Sequence, residues 1–316
     1  MFEYENRAVS VGDLLKEYRV KKEVIDKGKI IFLGLDPNLD VYNISASFSY
    51  KGREYIAGRI EKRNSEISKV GFFERITIDK YQFVDNSLID DLQDPSISLI
   101  DDKIILCGTK IFLNEDNKII DWSTFFYEGV SVTDFKFLGS APKHMKDVRI
   151  IKYQDKIACF TRPQGGNNGP GRIGFIFLKD LSELNAANLS KAAILDEHFI
   201  NTEWGGVNQI HVLANGLLGC IGHISKKDLV RGLTYTAMAF AFDPLTFRRT
   251  KIKIIGERSD YLEGPFKRDD IIDVVFPGGI VRVENNQSIL YAGTSDCEAQ
   301  YIKIKDPFLE YENLKI

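Results

Sequence analysis

Cysteine is scarce in this chain, with four in 316 residues, and Cys107, Cys159, Cys220 and Cys297 stand far apart. That spacing excludes a CxxC-type metal site, and the length of the chain excludes a small disulfide scaffold. Three of the four fall in the second strand of a predicted hairpin, so buried free thiols in a reducing cytoplasm are expected. Long apolar runs are also missing, since nothing approaches the roughly 18 consecutive apolar residues of a membrane span. The opening MFEYENRAVSVGDLLKEYRV carries charges in its first residues and has no signal-peptide core. A basic surplus is lacking too: the net charge is −3 and no Lys/Arg stripe is sustained, so neither nucleic acid nor membrane is an expected partner. The four histidines, His144, His198, His211 and His223, are too scattered for a zinc site, and no metal or organic cofactor is expected.

Helical signal is thin. SVGDLLKEYRVKKEVID near the N-terminus is the one good candidate, and LSELNAANLSKAAIL (181–195) is weaker. What the chain has instead is a repeated hairpin. ISASFSYKGREYIAGRIE (44–61), PSISLIDDKIILCGTK (95–110), VRIIKYQDKIACFTRP (148–163), VNQIHVLANGLLGCIGHI (207–224) and the region DVVFPGGIVRVENNQSILYAGTSD (273–296) each place strand-forming runs around a turn. Asn215-Gly216 is the strongest of the five turn signals. Further strand runs follow, among them KVGFFERITI, TDFKFLGSA, RIGFIFLK, YTAMAFAFD and AQYIKIK. Four strands per unit in five units predict an all-β, five-bladed β-propeller over 29–316, after a helical extension over 1–28. A sandwich or two-domain all-β arrangement is the competing architecture.

In a propeller, equivalent strand ends meet at one mouth. Just before the hairpins stand Asn43, Asp94, Asp147, Asn208 and Asp273; at or just after their second strands stand Arg59, Thr109, Arg162, His223 and Asp296. A funnel of Asp, Asn, Arg and His suits a polyhydroxylated or phosphorylated ligand, because carboxylates accept from sugar hydroxyls and guanidinium forks grip oxyanions. Asp94 is the leading acid, its turn stiffened by Pro95, although an Asp-Pro pair is also an ordinary turn former. Asp273 and Asp296 could equally be Asx-turn acceptors, and His223 a core histidine. Trp204 offers either core packing or a stacking face for a pyranose. The Gly-rich RPQGGNNGPGR (162–172) lacks the GxxxxGK[ST] pattern and reads as a rim loop.

VVFPGGIV followed by ILYAGTSD resembles the closing blade of glycoside hydrolase family 130, the β-mannoside phosphorylases and related hydrolases. QDPSISLIDDKIILCGT resembles that family's Glu-Asp-Pro-Arg hairpin, KDVRIIKYQDKIACFTRP the hairpin ending in a phosphate-binding Arg, and GLLGCIGHI the strand supplying a phosphate-binding His. The matches run in chain order over about residues 40–300. The resemblance implies Asp94 as general acid and Arg162 and His223 as phosphate ligands, joined by Arg149. It implies Asp296 as a sugar-hydroxyl acceptor, and Arg59, Glu61 and Arg63 near the sugar. Asn43, Asp147, Trp204, Asn208 and Asp273 complete the expected substrate-binding set. Two departures stand out: Gln93-Asp94-Pro95-Ser96 lacks the neighbouring acid and base, and NTEWGGVNQ has no lysine where phosphorylases carry one. The resemblance thus implies inverting cleavage of a β-mannoside-like bond in a small oligosaccharide or glycoside. Water or inorganic phosphate is the attacking co-substrate, and a sugar-binding propeller without catalysis is the alternative.

Overall fold

The computed structural model describes residues 4–5, 7–116, 118–228 and 232–314. It is all-β with few helices, and its strands form five sheets in chain order in a propeller-like arrangement. Four sheets are regular antiparallel meanders. The second runs Leu92–Ile100, Lys103–Leu113, Ile119–Ser131 and Asp134–Ser140, and the third Arg149–Tyr153, Lys156–Thr161, Gly174–Leu178 and Ala193–Ile194. The fourth runs Glu203–Val212, Leu218–Asp228 and Gly232–Asp243, with Arg248–Arg249 and Lys253–Gly256 both pairing to the last of these. The first sheet is irregular, with seven strands centred on Arg53–Lys62 and Ser68–Arg75, and the short pieces Leu39–Tyr42 and Phe48–Tyr50 share one partner strand.

The fifth sheet corrects the expected boundary at residue 28. Val275–Val283, Gln287–Thr294 and Glu298–Lys305 are followed outward by Val24–Lys29, which pairs antiparallel with Glu298–Lys305. The helical stretch therefore stops earlier, at Lys21. Lys22 is already extended, with φ −61° and ψ 138°. Val24 and Ile25 are β-branched and favour a strand once an unpaired edge is there to receive them. The helix Val11–Lys21 begins at Ser10, whose hydroxyl accepts from the Asp13 N–H, and the Val11 N–H donates to the Glu203 carboxylate at 2.9 and 3.1 Å. Its buried side chains, Val11, Leu14 and Leu15, join the core between the third and fourth sheets.

Five apolar clusters form the core, and each joins two sheets. They link first to second, second to third, third to fourth, fourth to fifth, and fifth back to first. The four cysteines lie buried as free thiols. Turns behave as their residues dictate at Asp101-Asp102 and Asn285-Asn286, where both positions have positive φ. The Asn215-Gly216 signal behaves differently. The Asn215 side chain reaches Tyr311 O at 2.8 Å and Leu314 O at 3.2 Å, and the connection widens into a loop closed by Leu213 N–H to Leu217 O at 2.9 Å. Among the described residues no helix is long and apolar enough to cross a membrane.

Candidate active site

The innermost strands of neighbouring sheets are stitched together by hydrogen bonds. Going round, Asn43 Nδ2 donates to Asp94 (2.9 Å), Ser98 Oγ to Ile150 O (2.5 Å), Arg149 Nε to Asn208 O (3.1 Å), Ile280 N–H to Gln209 Oε1 (2.7 Å) and Ala46 N–H to Gly278 O (3.3 Å). The backbone is bent where polar side chains turn inward. Ladder register slips at Asp94-Pro95, at Asn208 and at Gly278, and such bulges re-aim side chains beside functional sites. Asn43, Asp94, Asp147 and Asp296 have φ of 44°, 50°, 56° and 48°. The left-handed region is sparsely used by residues other than glycine, and its occurrence at four polar residues of this mouth is strain of the kind that collects at active sites.

One half of the mouth, built from the fifth, first and second sheets, is rich in carboxylates. The buried Arg59 donates to Glu61 (3.0 and 2.8 Å), to Glu66 (3.1 Å) and to Asp94 (3.3 Å), and its guanidinium lies 5.0 Å from the Tyr42 ring centroid. Glu61 also accepts from Lys267 at 2.5 Å and from the Tyr42 hydroxyl. Lys267 reaches Glu66 at 3.0 Å and Ser65 O at 2.8 Å. Asn43 Nδ2 lies between two carboxylates, 2.9 Å from Asp94 and 3.5 Å from Asp296. Close packing here needs Gly293, where a Cβ would fall 2.1 Å from Asn43 Oδ1. Burial pushes the Asp296 carboxyl up, Arg59 opposes that, and Asp94 adds to it.

The other half, built from the third and fourth sheets, is rich in cations. Arg162 donates to Asp147 at 2.6 Å, and Arg149 reaches the other Asp147 oxygen at 3.4 Å. Burial pushes Asp147 up, but the two guanidinium groups outweigh it and hold the carboxyl below the usual range. Lys146 adds to that field. His223 is fully buried, stacked on Tyr235 with ring centroids 5.4 Å apart and planes 2° from parallel. Burial and then Arg162 push its pKa well below the ordinary value, so the ring is neutral. Its Nδ1 sits 2.7 Å from Asn208 Oδ1 and donates to it, which leaves a lone pair on Nε2. That Nε2, Arg162 Nε and Asn208 Nδ2 are all buried without a hydrogen-bond partner among the described residues. Buried polar groups are almost always paired, so three orphans in one cluster mark a place for a polar ligand. Gly206 keeps it open: a Cβ there would stand 2.8 Å from Arg162 Cδ and 3.3 Å from His223 Cε1.

Of the residues singled out in the sequence, Asn43, Arg59, Glu61, Asp94 and Asp296 thus meet in one half, and Asp147, Arg149, Arg162, Asn208 and His223 in the other. Three lie outside both groups. Arg63 follows the end of the strand Arg53–Lys62 and forks onto Asp40 at 2.9 and 2.7 Å, apart from the pairs that Arg59 and Glu61 make. Asp273 uses its backbone carbonyl to accept the Tyr235 N–H at 3.2 Å, and among the described residues no hydrogen bond joins its carboxyl to the ring. Trp204 packs edge-on to Tyr235 at 6.4 Å, one ring removed from His223. Gln93, which stands where an acid was expected, donates to Glu66 O at 3.0 Å and ties down the 63–67 turn. Tyr42, Glu66, Lys146, Tyr235 and Lys267 were missed. Tyr42 and Lys146 adjoin Asn43 and Asp147 in sequence, the one signal that would have found them.

Comparison with known proteins finds relatives over nearly the whole chain. A mannose phosphorylase from Leishmania mexicana, MPT-4, solved with phosphate ion, is similar over 96% of this chain and 95% of its own at 32% identity, with a TM-score of 0.89. MPT-1 of the same organism, a GDP-Man-dependent mannosyltransferase, is 29% identical over 97% of both chains with a TM-score of 0.88. The β-1,2-mannobiose phosphorylase of Listeria innocua shares the fold at 14% identity, over 88% of this chain and 94% of that one, with a TM-score of 0.63. No curated protein matches. The chain belongs to the family described as protein of unknown function DUF1861, whose model matches residues 16–310.

Proposed function

We propose that the five sheets are the blades of a five-bladed β-propeller and that its mouth is the active site of a carbohydrate-active enzyme cleaving a β-mannosidic bond with inversion, phosphate being the attacking group. The observation that carries this reading is the cationic cluster. Lys146, Arg149 and Arg162 surround a single carboxylate, Asp147, and orphaned Arg162 Nε, Asn208 Nδ2 and His223 Nε2 adjoin them. Guanidinium and amide N–H groups donate to phosphate oxygens, and the bare His223 Nε2 accepts from a P–O–H. The sequence showed no lysine at the expected position, and Lys146 supplies the cation from a different segment. The phosphate-bound mannose phosphorylase at 32% identity supports phosphate as the anion.

The mannosyl unit would lie between the halves, its hydroxyls facing Asp94, Asp296 and Asn43. Asp94 meets the bridging oxygen and protonates it as the bond to the anomeric carbon breaks, while phosphate attacks from the opposite side. The test is to incubate the protein with β-1,2- and β-1,4-mannobiose, with and without phosphate, and assay mannose 1-phosphate and free mannose. Phosphate-dependent sugar phosphate is expected. Free mannose formed equally without phosphate would overturn phosphorolysis in favour of hydrolysis. No product from either disaccharide or from GDP-mannose would turn the reading toward a sugar-binding propeller.

A further inference from the structure

The carboxylate half has more negative groups than cations to hold them. Arg59 and Lys267 face Glu61, Glu66, Asp94 and Asp296, and Arg268, 3.8 Å from Glu66, is bound more closely by Asp270 at 3.0 Å, so full ionisation would leave the cluster with a net negative charge. The cations are not shared evenly. Glu61 has Arg59 at 2.8 Å and Lys267 at 2.5 Å; Glu66 has Arg59 at 3.1 Å, Lys267 at 3.0 Å and Arg268 at 3.8 Å; Asp94 has Arg59 at 3.3 Å. Asp296 alone among the four has no ion-pair partner among the described residues, only the Asn43 amide at 3.5 Å. The other groups acting on it are Arg59, Asp94, Lys267, Arg268, the Tyr42 hydroxyl and the Cys297 thiol.

A general acid must hold a proton before it gives one away. Asp94 lies 3.3 Å from the Arg59 guanidinium, whereas Asp296 has no ion-pair partner among the described residues. We propose that the proton of the resting site is held on Asp296 and reaches the leaving oxygen by way of Asp94, the two carboxylates being kept adjacent by the amide of Asn43. This rests on the reading of the mouth as a mannoside-cleaving site. The step balances: Asp296 passes its proton to Asp94, and Asp94 to the bridging oxygen as the bond to the anomeric carbon breaks. A phosphate oxygen forms the new bond, and the proton carried in by monohydrogen phosphate returns to Asp296 as the sugar phosphate departs. Two interacting carboxyls titrate as a pair, and the direction in which burial pushes Asp296 agrees with its being the protonated member.

Infrared spectra of the substrate-free protein in H2O and D2O test the store directly. A carboxylic-acid band that shifts in D2O is expected at neutral pH in the wild type and in Asp94→Asn, and should vanish in Asp296→Asn. Glu203→Gln serves as the control, because burial also pushes that carboxyl up. A wild type with no such band after this control, or a band lost in Asp94→Asn and kept in Asp296→Asn, overturns the proposal. Kinetics supply a second readout. Asp296→Asn should lose about 10²-fold in kcat on mannobiose at neutral pH, move the alkaline limb of the pH profile to lower pH, and lose at least tenfold less in kcat on 2,4-dinitrophenyl β-mannoside, whose leaving group needs no proton. Equal loss on both substrates with an unmoved limb would show only a binding role. If the wild type cleaves no mannoside, the enzyme reading fails while the spectra still decide where the proton sits.

Discussion

The two halves of the mouth carry opposite imbalances, and each is built to be completed by something different. In the half from the third and fourth sheets, Lys146, Arg149 and Arg162 face one carboxylate, Asp147, leaving a surplus of two positive charges beside a neutral His223. In the half from the fifth, first and second sheets, carboxylates outnumber cations: Arg59 and Lys267 face Glu61, Glu66, Asp94 and Asp296, and Arg268 is shared with Asp270. Isolated buried charge is costly. A bound dianion would relieve the first imbalance and protonation would reduce the second, and these are the two things that phosphorolysis of a glycosidic bond requires on opposite sides of the sugar.

The largest effect should come from removing Asp94, the residue proposed to link the carboxylate half to the leaving group. Asp94→Asn keeps the size, tolerates the positive φ and can still hydrogen-bond, so sugar binding should survive while kcat falls by about 10²–10⁴-fold. Turnover of mannobiose against isothermal titration with mannose measures the split. An unchanged kcat would remove Asp94 from the reaction and with it the division of labour between the halves.

Next in size is the phosphate half. Arg162→Lys keeps a charge opposite Asp147 but gives up the planar fork and the orphaned Nε. The expected result is a KM for phosphate raised by about 10–10²-fold with the KM for mannobiose little changed. The matching change in the carboxylate half, Lys267→Met, should move the disaccharide KM and leave phosphate alone. If both variants shifted both constants alike, the mouth would be one undivided site.

How much of this was legible before the structure depended on strand phase. Asn43, Asp94, Asp147 and Asn208 could be found because each stands just ahead of a hairpin, so the period of two and the turn positions together fix where it arrives. Where the regular strand stops, the inference stops. Arg59 and Glu61 share a face, but the strand ends at Lys62 and Arg63 swings away to Asp40. Lys267 and Glu66 come from irregular connections whose course no periodicity encodes, and they reach Glu61 and Arg59 through tertiary packing alone. The Val24–Lys29 strand was hidden for a related reason: it becomes a strand by pairing with Glu298–Lys305, about 270 residues away in sequence.

A smaller, pH-linked effect distinguishes groups held for charge from groups held for packing. His198 is pushed down to about 3 and His211 to about 4, both first by burial, while Arg249 and Arg282 respectively add to the shift. His223 moves the same way. A folded-state pKa below the unfolded one means that the unfolded chain binds more protons. The stability these rings contribute is thus present above about pH 6.5, the unfolded value, and is lost as pH falls toward their folded values. Asp147, also depressed, contributes above about pH 4 and loses its share at lower pH still. Urea midpoints should therefore decline in two stages, from about pH 6.5 downward for the histidines and below about pH 4 for Asp147. His198→Phe should flatten only the first stage, and a decline confined to below pH 4 would show that the rings are not held neutral.

The smallest expected effect is at Lys146, which acts on Asp147 and His223 through its field. Lys146→Met should raise the phosphate KM about tenfold, roughly 1.4 kcal/mol, and reduce its dependence on salt, because a partly solvated cation is screened where the buried Arg149 and Arg162 are not. A variant whose phosphate KM keeps the salt dependence of the wild type would place the screened charge elsewhere, and the cationic half would then rest on its two arginines alone.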